Sequence, residues 1–215
     1  MLLGVIPIAR IRKALATHRP ALIPVDELRH AAVAMVLAES AAAAEVLFIE
    51  RARCDGDPWS GHMAFPGGRV DPGDAGGRAA AERETLEEVG VSLAGAQLLG
   101  RLDDKKGNPR TQPELVISAY VYHVSAQQEL RINYEVQEAF WFPLAALLDR
   151  SRHVQYTARG EFEFPGILVG EPDRHVVWGL TYSFLESFFQ VLGSPLPNRW
   201  SEDLRPYVRG MDEAR

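Results

Sequence analysis

The chain has 215 residues, with 23 Lys and Arg against 29 Asp and Glu, for a formal net charge of −6. That balance argues against broad electrostatic binding to nucleic acid, yet leaves room for a small basic pocket that takes phosphates. Nearly half the residues are hydrophobic, and Cys54 is the single cysteine, so a sizeable core can form but no internal disulfide or cysteine-rich zinc site can.

The opening MLLGVIPIAR lacks the basic start and small-residue cleavage pattern of a signal peptide. No uncharged apolar run reaches the roughly 18 residues of a membrane helix. The expectation is a cytoplasmic protein without a membrane partner. Ile8, Ile11 and Leu15 stand at helical spacing before Pro20, which predicts a short amphipathic helix in an N-terminal segment, 1–30. AAVAMVLAE (31–39) and EVLFIER (45–51) predict neighbouring strands. A turn-rich stretch follows, with one short extended piece at HMAF and a Pro-Gly-Gly turn after it. Arg78 to Val89 is the best helix, closed by Gly90. AQLLGRLDD, ELVISAYVYHV and EAFWFPL predict strands, and PLAALLD a short helix. FEFPGILV and RHVVWGL predict a strand pair around GEPD, and TYSFLESFFQVL a closing helix that serves core and interface, so that a homodimer is one expected arrangement. The main domain is expected over 31–192, with a polar, Pro-rich tail over 193–215. Strands and helices mix without βαβ alternation, which predicts an α/β sandwich on a mixed sheet.

At about 100° per residue, Glu84, Glu87 and Glu88 share one face of the helix. Ala79, Leu86 and Val89 lie roughly opposite and are expected to pack on a sheet, with Ala80 on the carboxylate side. Arg83 stands four residues before Glu87 and can pair with it. A Glu-rich helix is usually just a solvated face. Here the carboxylates cluster on one side, close behind FPGG, and a divalent cation over that face would relieve their repulsion; Mg²⁺ takes hard oxygen ligands of this kind.

GGRVDPGDAGGRAAAERETLEEVGV resembles the signature box of the Nudix family, G-x5-E-x7-R-E-U-x-E-E-x-G-U with U aliphatic. Gly68, Arg83, Glu84, Glu87, Glu88, Gly90 and Val91 match. Asp74 stands where the family usually has Glu, with one extra residue before Arg83, and Thr85 replaces an aliphatic residue. The resemblance implies an α/β/α sandwich, Mg²⁺ or Mn²⁺, and hydrolysis of a nucleoside diphosphate linked to another group. It implies Gly68, Glu84, Glu87 and Glu88 as metal ligands, Glu84 also as a candidate base, and Arg83 as the residue that orients the glutamates.

The flanks resemble the coenzyme A diphosphatase branch of that family. Leu47, Arg51, Ala52, Gly61 and Phe65 to Gly68 match its pattern, which implies Arg51, Phe65 and Gly67 as substrate-binding positions. The branch's second Arg is absent, with Gly56 nearby instead. Glu135 is the preferred extra carboxylate outside the box, with Glu138 its alternative. Trp59 and His62 could line the pocket or simply pack. Lys105, Lys106 and Arg110 could attract phosphate or simply be solvated. Three functions are open: a coenzyme A or acyl-CoA diphosphatase, a hydrolase of ADP-ribose or a dinucleoside polyphosphate, and a silent nucleotide-binding domain.

Overall fold

The computed structural model describes residues 5–25, 28–40, 43–54, 59–107, 112–158, 162–172 and 174–197. Arg110 and Gly56 lie outside them.

The two long apolar runs become β1 (Arg29–Glu39) and β2 (Ala44–Arg51), which pair antiparallel. HMAF contributes the short β3 (Met63–Ala64). Next come β4 (Gly67–Arg69), helix α2 (Gly77–Val89), β5 (Gln97–Arg101), β6 (Lys105–Lys106), β7 (Leu115–Val124) and β8 (Val136–Pro143). These strands form one mixed sheet in the order β3-β2-β1-β7-β5, with β4 on β1, β6 on β7 and β8 on β2. Its centre is the parallel pair β1–β7, in register from Arg29↔Leu115 to Ala38↔Val124. PLAALLD forms a 3-10 turn (Leu144–Leu148). A smaller antiparallel sheet follows, β9 (His153–Ala158), β10 (Phe162–Leu168) and β11 (Val176–Trp178), and α3 (Gly179–Val191) is the last described element.

Strand alternation sorts the core onto two faces of the main sheet. Ala32, Ala34, Val36 and Ala38 of β1, with Leu47 and Ile49 of β2, pack with Ala80, Ala81 and Val89 of α2. Met35, Leu37, Val46 and Phe48 point the other way and pack with Ile8, Ile11 and Leu15 of α1 (Ile8–Thr17), and with α3. The fold is therefore the expected helix–sheet–helix sandwich on a mixed sheet. Phe184, Leu185, Phe188 and Phe189 of α3 are buried in the chain's own core.

Two expectations are corrected. The Pro-Gly-Gly segment is no mere turn, since Gly67 and Gly68 sit in β4, opposite Val33 and Ala32 of β1. The orientation of α2 is also corrected in part, for Val89 packs on the sheet as expected but Leu86 does not. Leu86 is 52% exposed, while Ala80, Ala81, Thr85 and Glu88 face inward at 0–1%. The reason is packing by small groups. The inward arc of α2 carries Ala, Thr and Gly, which let the helix close onto β1 and β4. Such residues contribute little hydropathy contrast, so a pattern that sorts residues by polarity finds no inward stripe. Leu86 and the glutamates then mislead it together.

Candidate metal and diphosphate site

Glycine backbone and glutamate side chains meet where β4 passes beneath α2. Gly67 has φ 151°, a conformation that side chains rarely tolerate, and a Cβ there would lie 2.3 Å from the Ala32 carbonyl oxygen. Bare backbone at this point lets the Gly67 N–H donate to Glu88 Oε2 at 2.8 Å. A Cβ on Gly68 would lie 2.3 Å from Glu84 Oε1, so the Gly68 backbone lies flush against that carboxylate.

Glu88 is 1% exposed. Burial pushes its carboxyl up to about 8, against the lowering effects of the Gly67 N–H and the Arg51 charge, while Glu84 and Glu135 push it further up. Glu84 is also raised, first by burial, with Arg83 opposing and Glu87 and Glu135 adding repulsion. Glu87 is exposed.

Arg83 is the hub of the outer face. Its Nε and Nη2 grip Asp74 at 3.1 and 2.9 Å, a two-point carboxylate contact. Its Nη1 reaches Glu84 at 2.9 Å and Glu87 at 3.1 Å, and its Nη2 also donates to the Arg69 carbonyl. The Arg83 hydrogen bonds hold Asp74 below the usual carboxylate range, helped by the Asp71 N–H. Asp74 is thus a loop anchor. Thr85, the other departure from the family pattern, donates its hydroxyl to the Ala81 carbonyl at 2.6 Å and stays fully buried.

The other expected residues divide. Arg51 ends β2, and its charge acts on Glu88. Its backbone N–H donates to the His62 carbonyl and its carbonyl accepts from Gly61. Glu135 follows the Asn133 turn, its N–H bound to Asn133 Oδ1, and its charge acts on both Glu84 and Glu88. Glu138 faces elsewhere and pairs with Arg174 at 2.8 Å. Phe65 is 2% exposed and stacked on Phe48 at 5.5 Å, so it anchors the strand under the loop from within the core. Trp59 packs against the same core. Lys105 and Lys106 form β6, paired with Ile117 and Val116 of β7.

Sequence reasoning missed a second acidic cluster on the opposite face of the sheet. A bulge between Glu50 and Arg51 sets Glu50 opposite Glu138 but Arg51 opposite Val136. One ligand atom each from Glu50, Glu138 and His175 lies within 4.8 Å of the others. Arg174 already occupies this place, reaching Glu50 at 2.6 Å and Glu138 at 2.8 Å. His175 Nδ1 accepts the Glu171 N–H, which leaves the ring proton on Nε2, aimed at the carboxylates. In that tautomer Nε2 has no lone pair for a metal, so the cluster reads as a guanidinium clamp. Only the cross-strand register, invisible in sequence, brings these residues together.

The hard-oxygen donors of the first site, by contrast, fit a divalent cation. Glu84 and Glu88 lie against the Gly68 and Gly67 backbone, Glu87 is joined to Glu84 through Arg83, and burial raises the Glu88 carboxyl because its surroundings do not offset the cost of its charge.

Residues 28–160, more than half of the chain, match the NUDIX domain family. The chain is 32% identical over 136 residues to the human mitochondrial coenzyme A diphosphatase NUDT8, covering 61% of this chain and 56% of that protein. It is 43% identical over 108 residues to an uncharacterized protein of Schizosaccharomyces pombe, covering 48% of this chain and 33% of the other. The chain thus matches less than two thirds of the length of either relative. The crystal structure of a MutT/nudix family protein from Enterococcus faecalis superposes with a TM-score of 0.53 at 19% identity, over 87% of this chain and 70% of that one, a likeness of fold. With the box residues assembled as described and the family match spanning the main sheet and α2, the chain belongs to the Nudix hydrolase family.

Proposed function

We propose that this protein hydrolyses the diphosphate bond of a nucleoside diphosphate linked to another group, with coenzyme A or acyl-CoA as the favoured substrate and 3′,5′-ADP and (acyl-)phosphopantetheine as products. The observation that carries the reading is the contact of Glu84 and Glu88 with the β4 backbone, with Glu88 buried. Similarity to a human coenzyme A diphosphatase supports the choice of substrate.

In this reading Gly68, Glu84, Glu87 and Glu88 hold Mg²⁺ or Mn²⁺. Bound there, such an ion neutralises the diphosphate and lowers the pKa of water. The chain's own residues do the rest. Arg83 fixes the rotamers of Glu84 and Glu87 through its Nη1. The Gly67 N–H fixes Glu88 Oε2. Glu84 is the candidate to take the proton of the attacking water, and Glu135 assists from across the cleft. Arg51 faces the phosphates, and Phe65 holds the β3–β4 strand in place. The proposed compartment is the cytoplasm. Cys54 is exposed and is the chain's single cysteine, which suits a reducing environment, and no helix among the described residues is long and apolar enough to cross a membrane.

A panel of coenzyme A, an acyl-CoA, ADP-ribose, NADH and diadenosine polyphosphates, assayed with Mg²⁺ and Mn²⁺, tests the proposal. Coenzyme A or its acyl derivative should give the highest kcat/KM, and EDTA should abolish turnover until metal is restored. A clear preference for ADP-ribose would redirect the substrate, a live alternative because Gly56 stands near the place of the branch's second Arg. Turnover in metal-free buffer would remove the mechanism.

A further inference from the structure

The small sheet has two unlike faces. Ile167 and Val177 point into the core. On the other face, cross-strand pairing brings Tyr156 opposite Phe164, and Trp178 and Val154 opposite Gly166. Tyr156 stacks on Trp178 with centroids 4.6 Å apart and rings 23° from parallel. Phe164 lies 5.3 Å from the same indole. Gly166 makes this closure possible, because a Cβ there would lie 2.6 Å from Val176 Cγ1 and 3.4 Å from Tyr156 Cβ. All three aromatic rings are only half-buried, and Phe162 on the same face is 47% exposed. An aromatic face of this sort could simply be packing.

Its position argues for more. The His62 ring meets Trp178 edge-on at 4.7 Å, and the His62 carbonyl accepts the Arg51 N–H. From His62 the chain runs through β3 to Gly67, whose N–H meets Glu88. Five residues of extended chain span about 18 Å at most, the scale of a stretched nucleoside diphosphate. The hairpin that carries Trp178 is itself fixed by the Arg174 clamp to Glu50, the neighbour of Arg51. A planar π-surface at one end and a carboxylate and backbone N–H site at the other match a ligand with an aromatic base at one end and a diphosphate at the other. Stacking on such rings is tolerant of base identity because every base has a π-face.

We propose that the Trp178–Tyr156–Phe164 shelf, built by strands that mostly follow the family-matched residues 28–160, is the subsite that takes the purine base of the substrate. This rests on the diphosphatase reading and names where its substrate's base lies. Calorimetric titration of the full chain with ADP and, separately, with inorganic pyrophosphate tests it. Trp178→Ala should weaken ADP about tenfold or more, within the range of base–aromatic stacking, and leave pyrophosphate affinity unchanged. Trp178→Phe should recover most of the loss. Where Trp178→Ala does not fold, Tyr156→Leu takes its place, and saturation-transfer NMR on the unaltered protein reads which aromatic protons lie against the adenine H2 and H8. Unchanged ADP affinity in a folded variant, or transfer from rings outside the shelf, overturns the proposal. If pyrophosphate and ADP lose affinity together, the rings support the fold and the proposal also fails. Failure of the diphosphatase reading looks different: no member of the substrate panel would turn over, whatever the shelf variants bind.

Discussion

Two acidic clusters lie on opposite faces of one sheet, and each has an arginine, yet they are built to opposite ends. In the clamp, Arg174 sits directly on buried Glu50 and reaches out to Glu138 and Glu171. The buried charge is met by a guanidinium with several hydrogen bonds. In the box, Arg83 is committed to Asp74, Glu84 and Glu87. Glu88, the most buried carboxylate of the set, receives a backbone N–H and the field of Arg51, and these do not offset its desolvation. A compensated buried charge is a fastener. An under-compensated one is what the proposed metal site calls for.

The sharpest way to break this contrast is Glu88→Gln. It keeps shape and removes the charge, so kcat should fall about two orders of magnitude or more, the range for loss of a directly acting group. The melting temperature of the metal-free protein should hold or rise. Loss of folding with retained activity per folded molecule would make Glu88 a structural residue instead.

The pH dependence of the metal-free protein sharpens the same point. Glu88 keeps its proton in the folded state up to about pH 8, whereas in the unfolded chain it loses it near the ordinary value of 4.5. Between those values the folded state binds more protons. Its stabilising share is complete below about pH 4.5, declines as pH rises, and is gone above about 8, a change of a few kcal/mol at most. Urea titrations across that window should show the decline, and Glu88→Gln should flatten it. A wild-type curve already flat there would mean that Glu88 is ionised without metal.

Glu50→Gln tests the other cluster. It weakens a hydrogen-bonded buried pair and should cost about 1–3 kcal/mol of stability, with kcat per folded molecule largely kept. A large loss of kcat with unchanged melting would move Glu50 into the reaction. The smallest effect is expected at Leu86. The sequence pattern placed it against the sheet, where truncation would be costly. At 52% exposure, Leu86→Ala should change stability by no more than about 0.5 kcal/mol in thermal or denaturant unfolding.

The Leu86 case shows where sequence reading stopped. The strands of the main sheet were legible because β1, β2 and β7 carry long apolar runs that suit only buried strands. The box residues were legible because their spacing is fixed by one helix turn. The inward direction of that helix was not, because Ala80, Ala81 and Thr85 are small and the inward centre is a carboxylate. β4 was hidden because Gly-Gly signals a turn, and only the close approach of Ala32 and Val33 shows why a strand must be bare there. Glu135 and Glu138 could be ranked only weakly from sequence. Only Val136 and Gln137 separate them, and the bulge at Glu50/Arg51 decides which carboxylate meets Arg174 and which acts on Glu88. The aromatic shelf needed the register of three strands, one of which, β9, has no strong signal of its own.

The parallel pairing of β1 with β7 carries a consequence for how the site comes into being. Residue 29 must find residue 115 before the sheet has a centre. Helix α2 lies between them in sequence, and at 13 residues it is marginal on its own. Yet β1 and β4, whose backbone meets Glu84 and Glu88, both precede α2 in the chain. Long-range closure onto β7 is slow relative to local structure, so on a growing chain the strands and the helix that carry the box are complete while the edge of β1 that β7 will cover is still unpaired.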